Sequence, residues 1–297
     1  MITYSGILGI IYLQVTGVGF LGNCILLFQN IFDFIFIHRT RPKNLIIIQL
    51  AFSNAMLLLF RGIQNTTRLW MMKCFLEELG IRIIAYMQTT VQGLSLGSTC
   101  ILSAFQAITI SPNNSISLQL KIRAPKCIIT CILLCWIFNL LLYIIILLYH
   151  NDGKNNTDNN YGCNIVFKIL DMYKNHIKNT ILIYVKDAMC VCVITSSSAY
   201  MILILCKHKR HMKHIHSNSL SIKISPETRA TKAILLLLGT FALFNIFGPI
   251  FILYIIYFKY INNWVMHALI FLSLGYPTLS PFILISIHNQ IPRICAY

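Results

Sequence analysis

Seven long apolar runs, separated by short polar stretches, recur along the chain at about 6–35, 44–62, 79–110, 126–149, 179–206, 230–258 and 264–287. A bilayer core about 30 Å thick needs about 20 apolar residues at 1.5 Å rise each. Each run approaches or exceeds that length, so each is predicted to be a membrane-spanning helix. An odd number of spans puts the two termini on opposite sides. Neither end is long enough to form a domain, so residues 1–297 are predicted to form a single all-α, seven-helix membrane bundle. That excludes a soluble enzyme and leaves a receptor, a transporter or a channel.

Composition strengthens this reading. The 297 residues are 57% hydrophobic and only 11% charged, with a mean hydropathy of +0.72, whereas soluble domains are about 25% charged. The first run has no basic segment before it and no small-residue cleavage site, so it is expected to be a retained helix.

Charge sets the orientation. His38-Arg39-Thr40-Arg41-Pro42-Lys43 follows the first span without an acid, and Lys121, Arg123 and Lys126 occupy the third-to-fourth connection, also without one. The fifth-to-sixth connection carries Lys207, Lys209, Arg210, Lys213, Lys223, Arg229 and Lys232 against Glu227 alone. On the other face Glu77, Glu78, Asp152, Asp158 and Asp171 dilute the cations. Lys and Arg are retained on the cytoplasmic side, so the N-terminus is expected outside and the C-terminus inside. The sequons at Asn65 and Asn155 then fall in outer loops, where they are candidate glycosylation sites. Asn113-Asn114-Ser115 also matches and falls inside, so chance remains the other reading.

The net charge of +16 does not imply nucleic acid. Positive-inside topology and attraction to anionic inner-leaflet lipid account for most of it. The stretch Lys207 to His216 reads as a basic continuation of the fifth helix into the cytosol; its interleaved Lys and Arg oppose metal binding by its histidines. Of the eleven cysteines, most lie in spans as small packing residues. Cys74 and Cys163 fall in outer loops, where oxidation can join them. Cys295 follows the last span.

Polar residues within spans are informative because they are expensive there. Asn23 and Asn54 suit interhelical hydrogen bonds, and Gly17, Gly19, Gly22, Gly93 and Gly97 suit close helix approach. Pro249, Pro277 and Pro281 free backbone carbonyls and permit kinks. Lys186 and Asp187 point about 100° apart on a helix, so they need not pair; they either snorkel to the interface or face an outer cavity. The chain has no phosphate loop, no metalloprotease or hydrolase motif and no internal repeat of the transporter kind. No cofactor and no metal are implied.

Four strings carry a resemblance. They are His38-Arg39-Thr40-Arg41-Pro42; Gly93-Leu94-Ser95 with Ser98 through Pro112; Lys207 through Ser217 with Ser225 through Thr231; and Tyr276-Pro277-Thr278-Leu279-Ser280-Pro281-Phe282. In this order and on these spans they resemble the vomeronasal type-1 receptors, a rhodopsin-like family of G-protein-coupled receptors. The usual acid-Arg-aromatic triplet is replaced by Phe105-Gln106-Ala107, and Asn-Pro-x-x-Tyr by Ser280-Pro281-Phe282-Ile283-Leu284, as in that family. The resemblance implies a chemosensory receptor in the plasma membrane that takes a small pheromone-like ligand and couples to an inhibitory-class heterotrimeric G protein. The family usually has a cysteine at the outer start of helix three, where Ile81 stands here. The bridge is therefore displaced to Cys74–Cys163, or it is absent and Cys163 is free. Pro249 also departs from the family pattern. The alternative function is a seven-span transporter or channel without G-protein coupling; a receptor-like chain that folds poorly is a third.

For a receptor, the outer third of the bundle is the natural ligand site, apolar with a few polar groups. Candidates are Tyr86, Gln88, Gln92, Lys186, Asp187, Tyr254, Tyr257 and His267, each of which could instead make interhelical hydrogen bonds. Tyr86 and Gln88 cannot share one helical face. The expected ligand is small and mostly apolar with one polar handle; a biogenic amine would need a deep carboxylate. G-protein coupling is expected at Gln106, Ile108, Lys207, Lys209, Arg210, Arg229 and Lys232.

Overall fold

A backbone in hydrocarbon must satisfy its N–H and C=O groups within the protein, and a continuous helix does so without water. The computed structural model describes residues 4–36, 42–69, 78–112, 115–144, 177–215, 235–241, 243–244 and 263–290. Apart from turn residues near 111–112 and 144, all of these are helical. The six long helices are α1 (Tyr4–Phe36), α2 (Pro42–Leu69), α3 (Glu78–Ile110), α4 (Ser115–Tyr143), α5 (Ile177–Ile215) and α6 (Asn263–Gln290). All six are long and apolar enough to cross a membrane. The last, α6, is the seventh expected run. Of the sixth, 230–258, only 235–241 and 243–244 are among the described residues, and both pieces are helical.

Two boundaries differ from expectation. Helix α4 begins at Ser115, so Lys121, Arg123, Pro125 and Lys126 stand on it and not in a loop. Lys and Arg are good helix formers, and a helix can project beyond lipid with a basic face. Helix α2 continues to Leu69. Asn65 therefore stands on a helix, which corrects its expected placement in an outer loop. Helix α5 runs on to Ile215, as the basic segment suggested.

Helix α3 lies between α2 on one side and α4 and α5 on the other, while α1 packs on α2 and α6. Its contacts with α4 need small residues. A Cβ on Gly93 would overlap the Asn139 carboxamide, and one on Gly97 would overlap Cys135 Sγ. Gly19 and Gly22 likewise let α1 approach Thr278 and Pro281 of α6, whereas Gly17 faces open space and serves no close approach. The core joins Leu26, Leu50, Leu96, Leu102, Met201, Phe241 and Tyr276. Phe241, from the sixth run, meets the Tyr276 ring edge-on at 4.6 Å. Leu133, Leu141, Met189 and Leu203 point outward, as lipid-facing positions on α4 and α5 should.

Candidate functional site

The polar chemistry of the bundle is organised by two prolines. Pro277 and Pro281 lie four residues apart inside α6. Each lacks an N–H, so the carbonyls one turn earlier, of Ser273 and Pro277, lose their intrahelical donors. Other helices supply replacements. Arg61 of α2 donates Nη1–H to the Ser273 carbonyl, and Asn23 of α1 donates Nδ2–H to the Pro277 carbonyl at 2.9 Å.

Above and below these bonds runs one polar face of α3: Gln88, Gln92, Ser95 and Thr99, spaced four, three and four residues apart. Gln92 Oε1 accepts from Arg61 Nη2 at 3.0 Å. Ser95 Oγ donates to Asn54 Oδ1 at 2.6 Å, and Asn54 Nδ2 donates to Ser280 Oγ at 2.9 Å. Thr99 Oγ1 and the Tyr276 hydroxyl lie 2.9 Å apart. Three layers thus join α3 to α6, two of them through α2, and every partner but Arg61 is neutral. Asn54, Ser95 and Ser280 are at most 3% exposed, so the middle layer is dry. The layer of Arg61 is different. Arg61 is 8% exposed, but its partner Gln92 is exposed, so this layer borders accessible space. Gln88, one turn nearer the start of α3, keeps Oε1 buried with no hydrogen-bond partner.

The six expected ligand residues that are described do not form one cluster. Gln88 and Gln92 share the polar face of α3. The Tyr86 hydroxyl donates to the Leu140 carbonyl of α4 at 3.2 Å, so Tyr86 and Gln88 face different ways, as helical geometry required. His267 Nδ1 lies 2.9 Å from the Tyr12 hydroxyl of α1. Lys186 lies on the seam of α4 and α5, donating to the Tyr143 hydroxyl at 2.9 Å and the Asn139 carboxamide at 3.4 Å. Its ammonium lies 2.9 Å from Asp187 Oδ1. Adjacent helix positions did not demand this pair, but the long Lys stem folds back to make it. The contact is an ion pair without hydrogen-bond geometry, because Asp187 Oδ1 has no hydrogen-bond partner. Tyr254 and Tyr257 lie outside the described residues.

At the opposite end, Gln106 and Ile108 are half-buried near the end of α3, and Lys207 and Arg210 are exposed on α5. Lys209 stands on the same helix. Ser111 Oγ lies 2.9 Å from the Tyr200 hydroxyl of α5, and Lys121 Nζ donates to the Ser111 carbonyl at 2.6 Å. A cation at the carboxyl end of α3 is favoured by the helix dipole. Arg229, Lys232, Cys74, Cys163 and Asn155 lie outside the described residues.

Sequence reasoning missed Arg61. The available signal was a cation inside an apolar run with no acid near it on the helix. Asn139 and Tyr143, which receive Lys186, carried no such signal: a lone amide and a tyrosine in a greasy span read as packing.

The architecture leaves several membrane families open, and the whole-chain comparison decides between them. Residues 6–297 match the vomeronasal organ pheromone receptor family. The chain belongs to the vomeronasal type-1 receptors. It is 34% identical over 294 residues to vomeronasal type-1 receptor 3 of Homo sapiens, covering 97% of this chain and 93% of that one. It is 33% identical over 293 residues to vomeronasal type-1 receptor 1 of Gorilla gorilla gorilla, covering 97% and 82%. A vomeronasal type-1 receptor is a chemosensory receptor and not an enzyme family, and its partner kinds are a small molecule and a G protein. The six crossing helices agree with a multi-pass membrane protein.

Proposed function

We propose that this chain is a pheromone-type receptor of the plasma membrane, with its N-terminus outside and its C-terminus inside. A small molecule enters at the end of the bundle that holds Tyr12, Gln88 and His267. It shifts the helices, and the end that holds Gln106, Lys207 and Arg210 activates an inhibitory-class G protein. The observation that carries this reading is the family match across 6–297. The polar layers support it physically. They tie α2, α3 and α6 by hydrogen bonds whose partners are neutral apart from Arg61, and such bonds in membranes are worth roughly 1 kcal/mol each. A ligand with modest differential affinity can therefore rearrange them.

The ligand space is assigned to Gln88 and Gln92 of α3, with Tyr254 and Tyr257, outside the described residues, as sequence candidates. Tyr86, His267 and the Lys186–Asp187 pair are further candidate contacts, although they meet α4, α1 and the α4–α5 seam in this structure. Coupling is assigned to Gln106, Ile108, Lys207, Lys209, Arg210, Arg229 and Lys232, and a Cys74–Cys163 bridge to the outer surface. The test is nucleotide exchange on a co-expressed inhibitory G protein during a small-molecule screen. Exchange should depend on ligand and be abolished by pertussis toxin. Replacing Lys207, Lys209 and Arg210 by Ala should reduce it at matched surface expression while leaving binding largely intact, apart from reciprocal coupling. Solute flux without exchange would support a transporter instead.

A further inference from the structure

Three of the described cysteines meet where α3, α4 and α5 pack together. A Cβ on Gly97 of α3 would overlap Cys135 Sγ of α4, and Cys100 stands three residues further along α3 on the same face. Asn139, one turn beyond Cys135 on α4, donates Nδ2–H to Cys135 Sγ at 3.5 Å and accepts from Lys186 of α5 at 3.4 Å. Cys190 stands one turn after Lys186. These contacts bring one thiol from each helix to one level of the bundle. Two of them touch: the Cys100 and Cys190 thiols are hydrogen-bonded to each other. Both pack against the main core and both are half-buried, unlike Cys127, Cys131, Cys192 and Cys206, which are exposed.

A single cysteine in a span packs as a small hydrophobe, but two sulfurs in contact across two helices make a soft donor set. The number of donors narrows the ion. Zinc takes four protein ligands in a structural site and three in a catalytic one, and iron–sulfur clusters take four cysteines. Among the described residues, no three His, Cys, Asp or Glu side chains stand close enough to share a metal ion. Two thiolates alone suit a soft monovalent cation satisfied by two donors, Cu(I). Two collinear metal–sulfur bonds of about 2.3 Å span about 4.6 Å, which touching thiols reach by a small side-chain rotation. A disulfide would require the sulfurs to close to about 2.05 Å at a fixed dihedral, and an oxidant within the bundle. The charge also fits. Lys186 lies within electrostatic reach of Cys190 and Cys135. Its side chain is 11% exposed against 34% for Asp187, so the cation is the inner member of that pair.

We propose that Cys100 and Cys190 form a two-thiolate Cu(I) site that clamps α3 to α5. Ligation needs both sulfurs deprotonated. The two protons leave to water, two sulfur–copper bonds form, and no electron moves. The complex carries one net negative charge, which Lys186, one turn away on α5, offsets. Cys135 stays beside the site and is held by Asn139, without joining it. The bound ion adds a strong link where α3 and α5 otherwise meet through side-chain packing, so it opposes any movement of one helix against the other. The inference stands on the thiols alone and does not depend on the receptor reading.

The experiment uses the full chain in lipid nanodiscs, without oxygen and with ascorbate, which keeps copper as Cu(I). One equivalent of Cu(I) is added against a competing chelator, bicinchoninate. The unmodified chain should hold the ion, unfold at a higher temperature, and lose maleimide reactivity at Cys100 and Cys190 while Cys127 and Cys131 stay reactive. Cys100→Ser and Cys190→Ser should each weaken binding by roughly a hundredfold or more, beyond the usual effect of changing a neighbour of a ligand. Cys135→Ser should bind as the unmodified chain does, and Zn(II) at the same concentration should not protect the pair. Protection of other cysteines instead of this pair in the unmodified chain would overturn the proposal even if the variants fail to fold. So would equal protection by Zn(II), or a loss in Cys135→Ser matching that in Cys100→Ser, which would make the site a three-thiol one. Protection that survives excess chelator and yields to dithiothreitol would replace the metal with a disulfide.

Discussion

At the scale of single residues, the α3–α4 contact depends on the absence of a side chain. Gly93 leaves room for the Asn139 carboxamide and the Tyr143 ring, and both of those receive Lys186. Removing one hydrogen atom from this arrangement and adding a methyl is therefore felt on three helices. Gly93→Ala should lower stability by about 1–3 kcal/mol, the usual range for overpacking, and Asn139→Ala should remove much of that penalty by vacating the space. Thermal unfolding of the two single variants and the double variant reads the coupling. Simple additivity would show that Gly93 does not meet Asn139. Gly93 and Gly97 were legible as close-approach positions, because small residues in a span mark helix contact. Their partners were not, since nothing in a linear pattern says which of two neighbouring helices a glycine faces.

At the scale of elements, α6 is a helix with two freed carbonyls, and α1 and α2 act as their donors. The prolines gave the first half of that statement from sequence alone, but the donors, Asn23 and Arg61, lie about 210–255 residues away. The dependence is testable by restoring the missing N–H. Asn23→Ala should destabilise the bundle by about 0.5–2 kcal/mol, the range for interhelical hydrogen bonds in membranes. In a Pro281→Ala background the Pro277 carbonyl regains an intrahelical donor, and the same Asn23→Ala change should lose at least half of its effect. Undiminished loss in the double variant would mean that Asn23 acts through its packing. The helix ends were the least legible feature. Lys121, Arg123 and Lys126 looked like a connection, because an acid-free group of cations ahead of an apolar run reads as a loop, whereas here they stand on α4 itself.

At the scale of the whole molecule, the proposed orientation rests on the positive-inside pattern of the basic residues. Tags at both ends should stain on intact cells only at the N-terminus, and staining of a C-terminal tag without permeabilisation would reverse the assignment. Helix α2 adds a refinement. Asn65 lies on that helix close to the Gln64 limit of its apolar section, so it is a poor acceptor compared with a sequon in a loop. Asn155→Gln should remove a glycosidase-sensitive mass shift, and Asn65→Gln should leave it in place; the opposite result would place the glycan on α2. The all-helical membrane character and the family were legible because membrane helices announce themselves by length and because four strings carry the family's pattern. The candidate site was legible only in part. Gln88 and Gln92 share one face of α3 with Ser95 and Thr99. Lys186 and Asp187 turned toward α4, and Arg61 was hidden inside a run whose apolar character dominated it.

The two freed carbonyls also bear on how the chain is made. Synthesis proceeds from the N-terminus, so Asn23 and Arg61 enter the bilayer well before Ser273 and Pro277. By the time α6 leaves the translocon, the donors its backbone needs are already in the membrane. Had the prolines been in α1, that helix would have waited in lipid with unsatisfied carbonyls until α6 arrived. Their position in α6 makes that helix dependent on earlier ones, so that its insertion and the closure of its contacts with α1 and α2 coincide.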